Sequence, residues 1–192
     1  MGMYVAHRKF AYLLLTTLLF CANAFAADSD DIKARFSTYW SAYAAGNYLA
    51  AAQLIHPDDL AGVKSEIVPI FLDGLTADDL KLKGLAATYF DGVPEAKRKS
   101  LTGAEAMAQL MKFIALTSPE VIELIKTSRM EIGSVKLEPK DPESAVVNFN
   151  ITVAGTSGAD FERLAKVNGL WFIRSKEPPS ATAAKLKAAF KK

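Results

Sequence analysis

The stretch Phe161-Glu-Arg-Leu-Ala-Lys-Val-Asn-Gly-Leu-Trp-Phe-Ile-Arg174 decides the fold. Asn168-Gly169 is the strongest short-range hairpin signal in the chain. A two-residue type I′ turn needs positive φ at both central positions, and Asn and Gly tolerate it best. Such a turn fixes the register, so that Val167 faces Leu170, Lys166 faces Trp171 and Ala165 faces Phe172. Side chains alternate across the pleat. One face therefore carries Ala165, Val167, Leu170 and Phe172, and the other Leu164, Lys166, Trp171 and Ile173. Both faces hold bulky apolar groups. A sheet with one wet face alternates cleanly between apolar and polar residues, so the second face is expected to be covered by a helix, a partner chain or a ligand.

Working back from the hairpin, residues 129–174 read as four antiparallel strands. Ala145, Val147, Phe149, Ile151 and Val153 alternate with polar or small neighbours, the pattern of a half-buried strand. Gly155 to Gly158 reads as the turn that follows it. Met130 to Leu137 is an earlier strand whose apolar parity changes at Gly133, the mark of a bulge. Residues 138–142 read as the loop between these two strands.

Everything ahead of the strands reads as helix. Ile32, Phe36, Tyr39, Trp40 and Tyr43 form one apolar stripe on a helix over about 30–45. Asn47 is placed to cap a short helix from Tyr48 to Ile55. Leu60, Val63, Ile67, Ile70 and Phe71 make the next stripe, which Pro69 should kink or end. Thr76 to Leu80 looks like a helix start, and 91–94 a turn. Thr102 and Glu105 have capping-box spacing ahead of Met107, Leu110, Met111 and Ile114. Pro119 opens one more short helix. The spacing thus predicts an α+β fold, with N-terminal helices packed on a curved antiparallel sheet of about four strands.

The first 26 residues have a different character. Arg8 and Lys9 precede an apolar run from Phe10 to Phe20, and Ala22, Ala24 and Ala26 supply small-x-small cleavage sites. This is the pattern of a secretory signal peptide, and the run is short for a membrane span. Cys21, the one cysteine, lies in this leader behind Phe20, where a lipid-attachment motif wants a small residue. The mature chain is then free of thiols. It is expected to be exported, with the bacterial periplasm as its compartment. Without the leader, 21 basic residues balance 21 acidic ones. That balance argues against a general nucleic-acid binder, which needs a basic surplus to engage phosphates. Residues 27–177 read as the folded domain and 178–192 as a basic helical tail after Pro178-Pro179.

Three stretches carry a family likeness. Tyr39-Trp-Ser-Ala-Tyr-Ala-Ala-Gly-Asn-Tyr48 resembles the end of the first helix in the NTF2-like superfamily, with Asn47 where Asp is commoner. Leu54-Ile-His-Pro-Asp58 resembles that superfamily's second helix end, and Leu164 to Ile173 its closing strand. The resemblance spans roughly residues 30–175. It implies a cone with a pocket between the curved sheet and the helices, and a habit of dimerising through the outer sheet face. The superfamily includes isomerases, dehydratases, cyclases and members that only bind, so fold does not choose among them.

On this reading the ligand-pocket candidates are Trp40, Tyr43, His56, Tyr89 and Trp171, and the dimer-face candidates are Leu164, Trp171 and Ile173. His56 is the one histidine left after cleavage, so no multi-histidine metal site is expected, and no cofactor. Its plainer role is to close a helix at His56-Pro57, where imidazole suits the C-terminal dipole. Asp58-Asp59 and Asp78-Asp79 sit where helices begin and read as caps, and Asp91 reads as a turn residue. The function expected first is small apolar-ligand binding or protein interaction without catalysis, in a homodimer. The alternatives are an isomerase or lyase using a pocket carboxylate or His56, and an envelope-associated structural protein. In the last, Leu186, Phe190 and the tail lysines would touch anionic lipid.

Overall fold

The hairpin forms in the expected register. In the structure, a computed structural model describing residues 28–189, Asn168 and Gly169 take φ of 51° and 81°. Val167 pairs with Leu170, Lys166 with Trp171 and Ala165 with Phe172. The leader with Cys21, and the last tail residues including Phe190, lie outside the described residues. The sheet is curved, antiparallel and four-stranded, built from β1 (Arg129–Glu138), β2 (Asp141–Val153), β3 (Thr156–Val167) and β4 (Leu170–Arg174) in sequential order. The β1–β2 register shifts between Ile132 and Ser134, which is the bulge at Gly133.

Two connections are tighter than the sequence suggested. Glu138 pairs directly with Asp141, so the expected five-residue loop shrinks to Pro139-Lys140. The Asp141 carboxylate organises its far side, accepting from the Glu143 N–H at 3.1 Å and the Ser144 hydroxyl at 2.6 Å. The β2–β3 turn is Ala154-Gly155, both at positive φ (48° and 83°), and Thr156 is already in the ladder. An alanine in that conformation hides the turn from a search for Asn-Gly or Asp-Gly.

Helices cover one sheet face. They are α1 (28–44), α2 (Tyr48–Ala52), α3 (Pro57–Gly62), α4 (Val68–Thr76), α5 (Leu80–Tyr89), α6 (Gly103–Thr117), α7 (Pro119–Thr127) and α8 (Pro179–Ala189). Ile32 and Phe36 on the α1 stripe are buried, and Phe36 meets Phe149 of β2 at 4.8 Å between ring centroids. Pro69 does not break the path from α3 to α4. A π turn at Val63–Ile67 absorbs the missing N–H and the ring's clash with the preceding turn. Asp79 caps α5, and Thr102 with Glu105 forms the capping box of α6.

The predicted second helix stops early. After α2 the chain extends, and Ile55 bridges Ile173 in parallel: the His56 N–H donates to the Ile173 carbonyl and the Ile173 N–H to the Leu54 carbonyl, both at 2.8 Å. Residues 54–56 therefore close the β4 edge of the sheet. The region from 178 onward also departs from expectation. It is helical, but α8 packs back onto the domain, with Ala183 buried. Gly62 permits this approach, since a Cβ there would sit 2.8 Å from Pro179 Cγ. Leu186 packs against the core too, so it is not free to enter lipid. No helix among the described residues is long and apolar enough to cross a membrane.

The two positive-φ turns give opposite expectations for single substitutions. Gly169→Val should destabilise the fold by at least about 1–2 kcal/mol, since a β-branched side chain resists left-handed backbone. Ala154→Gly should stabilise it by up to about 1 kcal/mol through relief of the same penalty. Urea denaturation measures both, and an unchanged midpoint for Gly169→Val would contradict the register.

Candidate functional site

Counting back from Leu164 puts Glu162 on the helix-covered face of β3, opposite Val147. An acid at an inward position is the feature around which the site is built. Glu162 faces a cleft of about 320 Å³ between the sheet and the helices. Tyr39 and Tyr43 of α1 form one wall, and Met107, Leu110, Met111 and Ile114 of α6 another. Ile55, Val63, Ile67 and Ile173 complete the apolar lining, and the rim runs from Arg174 to Glu177 and on to Pro179 and Thr182 of α8. The volume lies at the lower end of the range for small-ligand sites.

Burial pushes the Glu162 carboxyl up to about 7, because the charged form loses water in an apolar wall. Lys176 opposes the shift, and so does the Arg163 N–H, which donates to Glu162 Oε1 at 3.4 Å; Asp160 reinforces it. Lys176 does not neutralise Glu162 because its ammonium is held by Asp160 at 2.7 Å. Burial likewise raises the Tyr39 and Tyr43 hydroxyls above the ordinary phenol value, with the Glu162 charge adding to the effect at Tyr39. The two rings stack at 6.2 Å. The cleft thus offers one carboxyl that changes protonation near neutrality, two phenols that stay protonated, and a flexible apolar wall with two methionines.

Of the five pocket candidates read from sequence, Tyr43 alone lines this cleft. Tyr89 is fully buried among the helices, stacked on Phe71 at 4.1 Å with its hydroxyl donating to the Ala106 carbonyl. It is a core residue. Trp40 packs near Phe149. Trp171 is buried, and its indole N–H donates to Asp28 at 3.1 Å, next to the Lys166–Asp28 ion pair.

His56 lies at a separate surface basin, and it opens α3 rather than closing a helix. Its Nδ1 accepts from the Asp58 N–H at 3.2 Å and lies 2.6 Å from the Arg174 guanidinium, so the ring proton sits on Nε2. Burial, and then the Arg174 charge, hold its pKa below the ordinary imidazole value. The expected Asp58-Asp59 cap is replaced by His56, and Asp59 serves the network instead. It is buried, accepts from the Ser175 N–H at 2.7 Å and pairs with Arg174 at 3.3 Å. With its Nδ1 lone pair committed to this network, His56 tethers Arg174 to the start of α3.

The dimer-face assignment is corrected as well. Leu164, Trp171 and Ile173 are 1–2 % exposed because the helices of the same chain cover them. The opposite face is the open one, with Leu170 55 % and Phe161 45 % exposed. Sequence reasoning missed Glu162, although the hairpin register contained the signal: a charged residue two positions before the inward Leu164. Compared with protein-family models, curated proteins and solved structures, the chain matches none.

The cleft has a pH signature. The folded chain keeps the Glu162 proton up to about 7, whereas the unfolded chain releases it near 4.5. The contribution is therefore most favourable at acid pH and is lost as pH rises from the lower value through the upper one. His56 runs the other way: its lowered pKa makes stability fall as pH drops below about 6.5. Glu162→Gln should thus be more stable than the parent at about pH 8 and lose that advantage by about pH 4. Urea unfolding across that range checks the sign.

Proposed function

We propose that this chain is an exported small-ligand-binding protein of the NTF2-like kind, and that the ligand is a compact apolar molecule with one polar group. The observation that carries the reading is the Glu162 carboxyl, held by one long backbone hydrogen bond and by no salt bridge, on the apolar wall of a cleft with a polar rim. A ligand that removes water from the cleft and gives Glu162 a hydrogen-bond partner is paid back twice, by apolar burial and by satisfying a half-buried acid. The leader supports export, and the helix-on-sheet arrangement, with its cleft between the layers, fits the superfamily likeness.

A second reading uses the same atoms. A carboxyl poised near neutrality beside two phenols suits proton transfer at a carbon next to a carbonyl, the chemistry of an isomerase or lyase. Glu162 would take the proton and Tyr39 or Tyr43 would donate to the oxygen.

Titration with a neutral fluorescent aromatic amine tests the binding reading. The probe should bind with a blue-shifted emission, Met111→Trp should abolish binding by filling the cleft, and Glu162→Gln should weaken it. Binding that survives Met111→Trp would place the probe elsewhere and sink the proposal. Deuterium exchange into a bound ketone, lost in Glu162→Gln while the ketone still binds, would favour the catalytic reading.

A further inference from the structure

The sheet has one edge closed and one open. Residues 54–56 pair with β4, while among the described residues β1 pairs with β2 alone. Natural edge strands are usually blunted by inward charges, proline, shortness, edge lysines or a bulge; β1 carries Lys136 and the Gly133 bulge but no inward charge and no proline. β1 is ten residues long, and its inward positions, Met130, Ile132, Val135 and Leu137, are all apolar and each only half-buried. Its charges lie on the outer face, where Arg129 and Glu131 pair at 2.9 Å within the strand. The order of those charges is self-complementary. Set antiparallel to a second copy of itself about the Gly133–Ser134 centre, β1 places Arg129 opposite Glu138 and Glu131 opposite Lys136. The same register places Met130 opposite Leu137 and Ile132 opposite Val135.

The bulge makes this register possible. Directly opposed residues must share a sheet face. In a regular strand, positions 131 and 136 point to opposite faces, and so do 130 and 137. The extra residue at Gly133 shifts the parity, so 130, 132, 135 and 137 all point inward and 131 and 136 both point outward. We infer that two copies of this chain join along β1 into one eight-stranded antiparallel sheet, with both sets of helices on the same side. The occupant of the edge is a second copy, because the charge order and the bulge are matched to β1 itself. This differs from dimerisation through the outer sheet face, and it does not depend on what the cleft binds.

Sedimentation velocity of the mature chain and its charge variants decides it. The parent should dimerise. Glu131→Lys alone sets lysines against lysines, and Lys136→Glu alone sets acids against acids; each should weaken dimerisation at least about tenfold. An equal mixture of the two single variants should restore a mixed dimer, as should the double variant on its own. Both sites are at the surface, so circular dichroism should stay unchanged. A parent that is monomeric at every concentration overturns the inference. So does a dimer indifferent to both single variants, which would use another surface, or a loss that mixing does not restore.

Discussion

Two backbone hydrogen bonds at the β4 edge organise this molecule. They join Leu54 and His56 to Ile173, and they tie the end of the first helical segment to the last strand. An open strand edge is a liability, and here the chain covers the β4 edge with its own residues. The same contact sets His56 beside Arg174, and Arg174 beside the buried Asp59, which also accepts from the Ser175 N–H. That network fixes the direction in which the chain leaves the sheet. It therefore positions residues 174–177, which rim the cleft, and α8 beyond them. Removing one partner from a buried charged pair typically costs about 3–5 kcal/mol; Arg174 is partly exposed, so the cost of losing Asp59 belongs at or below the lower end of that range.

Against this ordered background Glu162 stands out as a group that works against stability. Hydrophobic side chains occupy the comparable inward positions Leu164, Val147 and Phe149, and the helices are packed to cover them. A carboxyl there gives up hydration at neutral pH, and Lys176 offsets the loss only in part because Asp160 holds its ammonium. Arrangements that cost stability persist where binding or chemistry needs them. The methionines and tyrosines around Glu162 are suited to the apolar body of a ligand, and the carboxyl to its polar end.

The sheet was legible because its signals are local. Asn168-Gly169 admits one turn type, the alternation from Ala145 to Val153 admits one face assignment, and the break at Gly133 marks the bulge. The capping residues of α5 and α6 were equally readable, since a cap acts within three residues. What stayed hidden depends on distant contacts. Nothing near Ile55 says that it will meet Ile173, and nothing near Pro179 says that Gly62 leaves room for it. Which of two apolar faces the helices would choose was also undetermined, so Leu164, Trp171 and Ile173 were assigned to the wrong side. Aromatic content proved a poor guide to the cleft, because Tyr89 and Trp171 satisfy their polar atoms inside the core. The better guide was a charge at a position where the pleat demands an apolar residue.

The chemistry of the cleft turns on Glu162 being a desolvated carboxyl at its wall. The most direct measurement is a pH titration of the side-chain carboxyl carbons by NMR on glutamate-labelled protein, with Glu162→Gln assigning the signal. One glutamate should titrate near 7, and its midpoint should move when the cleft is filled by Met111→Trp. A Glu162 midpoint in the ordinary range near 4.5 would show a hydrated side chain that the cleft does not desolvate.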